Sequence, residues 1–395
     1  MIRFVDVVRD FAEVAEDARS RVDGVLARGE YVLGPQTREL EAALAARLGA
    51  PAAIAVSSGS DALMLALLAL GIGAGDAVVV PAFSFFATAG AVVRVGAQPV
   101  FADIDRTTFV SRAEEFRTAI DREFDRSAGR HVHRTTGARL AALLPVHLYG
   151  RACAMEPILA LARETGAAVV EDAAQAIDCR LGGVAVGRFG AAGCFSFYPT
   201  KNLGGAGDGG LVTCEDAALA ARITRLRSHG ADGGAYEHHE VGINARMSEL
   251  AAAVLNAKLA RLGAWTARRR ELATLYRKEL ADAARTGLIV LPEAAAAESH
   301  VWHQFAIRIE GGRNGFSRRE RVRERLETRG IPTRVYYPLP LHRQPCFAGG
   351  GHAGVDLPEA DSASREVLCL PIHPSLADED VVQVADALAA EVRDA

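Results

Sequence analysis

Apolar positions set the first elements. Leu40, Leu44 and Leu48 recur every four residues, which places them on one face of a helix. An earlier helix carries Val22, Val25 and Leu26 and ends at Gly29. The glycine and proline of Gly29-Glu30-Tyr31-Val32-Leu33-Gly34-Pro35 predict a loop between the two. Short apolar runs then alternate with helical stretches. Residues 52–56, 77–80, 99–102, 140–146, 167–170, 194–198 and 211–213 read as strands, while 62–70, 155–165 and 217–228 read as helices. From Ser248 the pattern becomes a long helix, with Leu255, Leu259 and Leu262 on one face and Leu272, Leu275, Tyr276 and Leu280 further on. A strand at 305–309, a charged helix at 317–329 and an amphipathic helix from about Asp378 complete the chain.

Polar breaks in this pattern mark the candidate chemistry. The strand at 52–56 runs into Ser57-Ser58-Gly59-Ser60-Asp61 and then a helix. That arrangement forms an anion site, because free N–H groups and the helix dipole face the ligand. Gly59 and Ser60 would cradle a phosphate, and Ser60 would also serve as an ordinary N-cap. Pro81 to Thr88 carries three phenylalanines, any of which could stack on a planar ligand. Asp121 to Arg139 is polar, with five arginines, two histidines and two glycines, and reads as an exposed insertion. Its His131 and His133 lack a third metal ligand, and His238-His239-Glu240 lacks a metal-site spacing. Gly205 to Gly210 satisfies G-x-G-x-x-G but precedes a strand instead of opening a helix, so it is not a dinucleotide fingerprint.

Composition narrows the class. The chain has 395 residues, half of them apolar and a quarter charged, with a net charge of −4. That is ample for a large soluble core in two lobes, and it leaves no basic footprint for nucleic acid. The six cysteines are sparse and form no C-x-x-C pair, which suits a reducing cytoplasm. The N-terminus has no apolar signal core, and the apolar stretch at 62–75 is shorter than the roughly 20 residues that span a bilayer. We therefore expect a cytoplasmic protein without membrane partners.

The sharpest feature lies at residues 167–212. The run Ala167 to Val170 ends in Glu171 and Asp172, and Gln175 follows. The next strand leads through Ser196 to Pro199-Thr200-Lys201-Asn202. Strand ends are where open α/β folds bind ligands. A lysine and a carboxylate on successive strand-loop units suit pyridoxal phosphate (PLP). Its aldehyde needs an amine for a Schiff base, and its ring nitrogen needs an anion. Lys201 would form the aldimine and shuttle the proton, Asp172 would pair with the ring nitrogen, and Ser196 and Gln175 would bond the phosphate and ring oxygen. Taken singly, such an acid and lysine are more often surface residues.

The wording EDAAQA followed by SFYPTKNLGGAGDGG resembles the DegT/StrS-type sugar aminotransferases, a branch of the fold-type I PLP enzymes. The resemblance runs from Glu30 to Pro374. It implies an α/β fold-type I architecture: a large PLP-binding domain over 1–250 with a mostly parallel sheet, and a smaller α+β domain over 251–395 that includes the connecting helix. It implies Phe85 as the ring-stacking position. It also implies that Asn244, in Asn-x-Arg-Met, reaches the cofactor phosphate of a neighbouring subunit, hence a homodimer with shared active sites. Tyr31, His229, Tyr337 and His342 become substrate-contact candidates. No metal is expected.

The implied activity is transfer of an amino group, from glutamate by family habit, to a nucleotide-linked keto sugar. The opening MIRFVDV, the loop 330–342 and Leu370 to Pro374 look most like branches that aminate C3 of dTDP-linked deoxyhexoses or UDP-linked uronates. A uronate would need a cation, and the loop 230–241 offers none, which favours a neutral deoxyhexose. C4 amination stays open. Lys201 speaks against a PLP-dependent sugar dehydratase, because some of those enzymes carry histidine there. The intact Asp172, Ser196 and Lys201 set speaks against a non-catalytic regulatory relative. A nucleotide-binding oxidoreductase would rest only on the glycine run rejected above.

Overall fold

The structure is a computed structural model, and it describes residues 2–127, 129–232, 236–311, 318–348 and 355–394. Parts of the 121–139 and 230–241 readings, at residues 128 and 233–235, lie outside the described residues, as does Ser317.

Three helices open the chain: α1 (Val7–Ala12), α2 (Ala15–Arg28) and α3 (Pro35–Leu48). Leu40, Leu44 and Leu48 are buried as their spacing predicts, and Val25 is buried while Leu26 is exposed. Proline starts α3, and left-handed Gly49 (φ 68°) ends it. No side chain of its own caps the N-terminus of α3. A distant carboxylate does so. Fully buried Glu249 accepts the Gln36 and Thr37 N–H groups, both at 2.8 Å, and the Thr37 hydroxyl. A negative charge at a helix N-terminus is stabilised by the dipole. Gly34 makes room for it, since a Cβ there would lie 2.8 Å from Glu249 Oε2. Glu249→Ala strands these donors, and we expect it to destabilise the protein by about 3 kcal/mol in denaturant unfolding. A loss below about 1 kcal/mol would contradict this tie.

The central layer alternates strand and helix: β1 (Ala52–Val56), α4 (Gly59–Ala69), β2 (Asp76–Pro81), α5 (Ala87–Arg94), β3 (Gln98–Ala102) and α6 (Ala113–Glu123). Then come β4 (Phe124–Ser127), β5 (Arg130–His133), β6 (Arg139–Leu143), α7 (Met155–Thr165) and β7 (Ala168–Asp172). A small ribbon of β8 (Arg180–Leu181) and β9 (Val184–Ala185) precedes β10 (Ala192–Ser196), β11 (Gly210–Cys214) and α8 (Ala217–Leu226). The main sheet runs β1-β11-β10-β7-β6-β2-β3. Its neighbours pair in parallel except at β11, which is antiparallel to both β1 and β10. Strand interiors are buried on both faces, as near-continuous apolar runs require. The glycine run does lead into a strand, β11.

The segment 121–139 is not simply a loop. β4 and β5 form a hairpin, and Val132 pairs with Arg139 of β6. Its polar face is exposed, but His133 is 7% exposed and bonds Gln98 at 3.1 Å. The expected strand at 140–146 stops at Leu143, two residues before Pro145.

The expected single long helix from Ser248 is two, α9 (Glu249–Leu259) and α10 (Leu262–Glu279). α9 belongs to the first core with Leu44, Phe195 and Phe197, whereas α10 enters a second core through Leu272 and Tyr276. The chain therefore turns at Ala260–Arg261 without glycine or proline. Following α11 (Ala281–Arg285), the strands β12 (Ile289–Val290), β13 (Phe305–Ile309) and β14 (Val367–Leu370) form an antiparallel sheet in that order. The helices α12 (Arg318–Thr328), α13 (Pro358–Glu366) and α14 (Asp378–Asp394) complete this part. Among the described residues, no helix is long and apolar enough to cross a membrane.

Candidate functional site

The carboxyl ends of β1, β2, β7 and β10 lie along one edge of the sheet, and a cavity of about 510 Å³ opens there. Glu171 and Asp172 are adjacent at the end of β7, so the pleat sends them to opposite faces. Asp172 enters the cavity. It is buried, and burial pushes its pKa up. The Thr88 hydroxyl (2.8 Å to Oδ2), the Ala174 N–H (3.1 Å to Oδ1) and the charge of Lys201 pull it back. Glu171 instead faces away from it. It accepts the N–H groups of Gly187, Phe189 and Gly190 at 2.7–2.8 Å and meets His147 Nε2 at 3.0 Å. His147 Nδ1 accepts the Cys153 N–H, so the imidazole proton sits on Nε2 and is donated to Glu171. The two neighbouring acids therefore have different tasks: Glu171 ties loops together, and Asp172 faces the ligand space.

Lys201 lies in the turn beyond β10 and projects into the same cavity. The turn is tight. A Cβ on Gly204 would collide with the Pro199 carbonyl oxygen, so only glycine fits. Buried Lys258 donates to the Gly204 carbonyl at 2.6 Å and holds the turn from behind. Burial pulls the Lys201 pKa down to about 8, with the Asp172 charge opposing. An amine is nucleophilic only without its proton. At pH 8 about half of Lys201 is free, against about one in 300 for an ordinary lysine. The rate at which the apoprotein captures PLP should therefore rise with pH and level off above about 8. A rate still climbing beyond pH 10 would show that the amine is not desolvated.

Gly59 and Ser60 form the first turn of α4, whose leading N–H groups no helix can satisfy internally. The N-cap is Ser58, not Ser60: Ser58 Oγ accepts the Asp61 N–H at 3.1 Å. Ser60 is left on the cavity wall. A Cβ on Gly59 would lie 2.7 Å from Ser196 Cβ, so α4 and β10 meet closely enough to form a backbone cradle. Of the three phenylalanines, Phe83 is fully buried and Phe86 stacks on Phe347, while Phe85 is 56% exposed and lines the cavity. Gln175 accepts the Tyr149 N–H at 2.6 Å and donates to the Tyr337 hydroxyl at 3.2 Å, and both Gln175 and Tyr337 line the cavity. Burial pushes the Tyr337 hydroxyl pKa up, so it stays protonated.

The remaining candidates lie elsewhere. His342 is a correction. It is 3% exposed and packs near the Phe101 ring (6.3 Å) beside Asp361, and burial lowers its pKa to about 4. The apolar neighbours of Pro340-Leu341 draw it into the core, and it does not line the cavity. Tyr31, His229 and Asn244 are exposed and are absent from the cavity wall formed by their own chain. Tyr31 contributes its carbonyl to the Glu249 N–H, and Asn244 Oδ1 accepts from Arg246 Nε at 3.1 Å.

Several cavity residues carried no signal in the sequence. Tyr149 is held with positive φ (59°) and donates its hydroxyl to the Tyr336 carbonyl. His303 meets Asn202 Oδ1 at 3.2 Å, and burial beside Lys201 keeps it neutral. Among the described residues lining the cavity, Lys201 is the lone lysine or arginine, and the carboxylates are Asp172 and Asp208.

The donor set fits PLP. A tight backbone cradle sits beside Ser196, an exposed aromatic ring flanks the space, a buried carboxylate lies at its floor, and an amine with a lowered pKa faces it. The cavity is of ordinary small-ligand size. Residues 12–389 match the DegT/DnrJ/EryC1/StrS aminotransferase family. A UDP-N-acetyl-3-dehydro-alpha-D-glucosamine 3-aminotransferase from Acidithiobacillus ferrooxidans is 40% identical over 385 residues, 97% of this chain and 96% of that protein. A pleiotropic regulatory protein from Geobacillus stearothermophilus is 38% identical over 388 residues, 98% of each. The crystal structure of S. venezuelae DesV in complex with a ketimine intermediate superposes with a TM-score of 0.88 at 38% identity, covering 99% of this chain and 98% of that one.

Proposed function

The chain belongs to the DegT/DnrJ/EryC1/StrS aminotransferase family, and on that footing we propose that it aminates C3 of a UDP- or dTDP-linked 3-keto hexose with glutamate as donor. The enzyme is a PLP-dependent sugar aminotransferase with the fold-type I architecture. The observation that carries the reading is the convergence of Lys201 and Asp172 on one cavity beside the Gly59 cradle.

PLP, when bound, supplies an electron sink for the carbon that loses its proton. Lys201 Nζ would hold the group covalently and would serve as the base that moves the proton at the reacting carbon. The Asp172 carboxylate would pair with the ring nitrogen and favour its protonated form. The Gly59 and Ser60 N–H groups, with Ser196, would hold the phosphate at the start of α4, and Gln175 would bond the ring oxygen. Phe85, on the cavity wall, would stack on the ring and keep water from it. With the group bound, the site would move an amino group from the donor to the sugar's keto carbon, the donor leaving as its 2-oxo acid. Tyr337, fixed by Gln175, faces the substrate space.

We read Asn244, Tyr31 and His229 as serving the site of a second copy in a homodimer. Their exposure and their absence from the cavity wall of their own chain support this. We also read residues 1–250 and 251–395 as the large and small domains. The separate second core supports a division of this kind, with α9 on the large side of it. The sparse cysteines support a cytoplasmic location.

Incubation with glutamate and matched 3-keto and 4-keto sugars on UDP and dTDP, followed by NMR of the product, tests the proposal. An amine at C3 is expected. Amination at C4 alone would overturn the regiochemistry, and no product from any of these sugars would overturn the proposed substrate class.

A further inference from the structure

Beside Asp172 lie two hydroxyls without an assigned role, Thr88 outside the cavity wall and Ser84 at its edge. Thr88, in the first turn of α5, is fully buried, and its Oγ1 lies 2.8 Å from Asp172 Oδ2. Ser84 is 3% exposed, and its Oγ lies 2.8 Å from Thr88 Oγ1. An ionised carboxylate can only accept hydrogen bonds. The Thr88 proton is therefore committed to Asp172, and Thr88 Oγ1 is left to accept the Ser84 proton. Proton direction is thus fixed along Ser84, Thr88 and Asp172. The Ala174 N–H serves the other Asp172 oxygen at 3.1 Å. Each oxygen has one protein donor and keeps acceptor capacity for a ligand.

We propose that Thr88 is a positioning residue for PLP binding: it acts through Asp172, holding the carboxylate ionised and oriented, with Ser84 fixing the direction of its proton. The inference rests on the reading that Asp172 pairs with the ring nitrogen. Hydrogen bonds to charged groups are the strong ones, and this one lies in a dry interior where its loss is not made good by water. The four-residue spacing of Ser84 and Thr88 lets their hydroxyls meet at the turn into α5; Ser84 and Phe85 both line the cavity, and Thr88 does not.

The test is the PLP dissociation constant of the apoprotein, measured by absorbance titration for Thr88→Val, Thr88→Ser and Ser84→Ala, each in wild-type and Asp172→Asn backgrounds. Thr88→Val should weaken binding about tenfold, the size of one hydrogen bond to a charge. Thr88→Ser should return it to within about threefold of wild type, and Ser84→Ala should cost about threefold. In the Asp172→Asn background the Thr88→Val effect should shrink to within about twofold, because residues acting through one group are not additive. An unchanged constant in Thr88→Val, or the same loss in both backgrounds, would overturn the inference. If Thr88→Val does not fold, the Ser84→Ala pair decides on the same criterion. If Asp172→Asn alone leaves binding unchanged, the reading of Asp172 itself fails, which separates the two failures.

Discussion

Replacing Lys201 with alanine should lower the rate of amino transfer by more than about 10³-fold, toward the upper end of what one positioned proton-transfer group contributes. Two tasks converge on Nζ. It would attach the cofactor, and it would move the proton at the reacting carbon. No neighbour can take over the second task. Among the described residues, the cavity holds no other lysine or arginine, burial makes His303 a much weaker base than an ordinary imidazole and Asn202 fixes it, and burial keeps Tyr337 protonated. Lys201→Arg should fail equally, since a guanidinium does not give up its proton. Steady-state rates for both variants are the measurement. The fold should survive, because the turn is held by Gly204 and Lys258 and not by the Lys201 side chain. A variant that still transaminates at near-normal rate would remove Lys201 from the mechanism.

Replacing Gly59 with alanine should weaken PLP binding about 10- to 100-fold. The new Cβ would lie 2.7 Å from Ser196 Cβ and 3.3 Å from Ser196 Cα. Neither is the end of a flexible side chain, so α4 and β10 must part at the point where their N–H and hydroxyl donors converge. Overpacking of this kind costs about 1–3 kcal/mol, which corresponds to that loss of affinity when it falls on the bound state. Equilibrium titration of the apoprotein, alongside its thermal midpoint, separates the two effects. Weak binding with a nearly unchanged midpoint is the expected result. Wild-type affinity in a folded Gly59→Ala protein would mean that the phosphate is held elsewhere.

The residues that converge on the cavity differ in how legible they are in the sequence. Asp172, Ser196 and Lys201 stand at the ends of apolar runs, where strand periodicity and the strand-end rule place them together. Gly59 and Ser60 are readable because an anion site at a helix start is local. The capping residue is not. Ser57, Ser58 and Ser60 are chemically equal in sequence, and Ser58 prevails only because Gly59 must already be helical to approach Ser196. Choosing Phe85 among three phenylalanines needs the family resemblance, since periodicity does not tell which ring lines the cavity, as Phe85 does, and which is buried, as Phe83 is. Thr88 is invisible because its partner is 84 residues away. Glu249 looks like an ordinary first-turn acid of its own helix, yet its carboxylate caps another. His342 looks like a polar loop residue, but burial of the neighbouring chain carries it inward. The hairpin at 124–133 escapes a reading of the sequence because its strands are almost wholly polar and carry no apolar alternation.

The most direct measurement is the visible absorbance of the purified protein supplied with PLP, before and after glutamate and then after a keto sugar nucleotide. Lysine-bound PLP absorbs in the visible, so the account predicts a band that Lys201→Ala lacks, that fades with glutamate and that returns with a 3-keto sugar nucleotide. A protein that forms no band with PLP, or whose band glutamate leaves untouched, would contradict it.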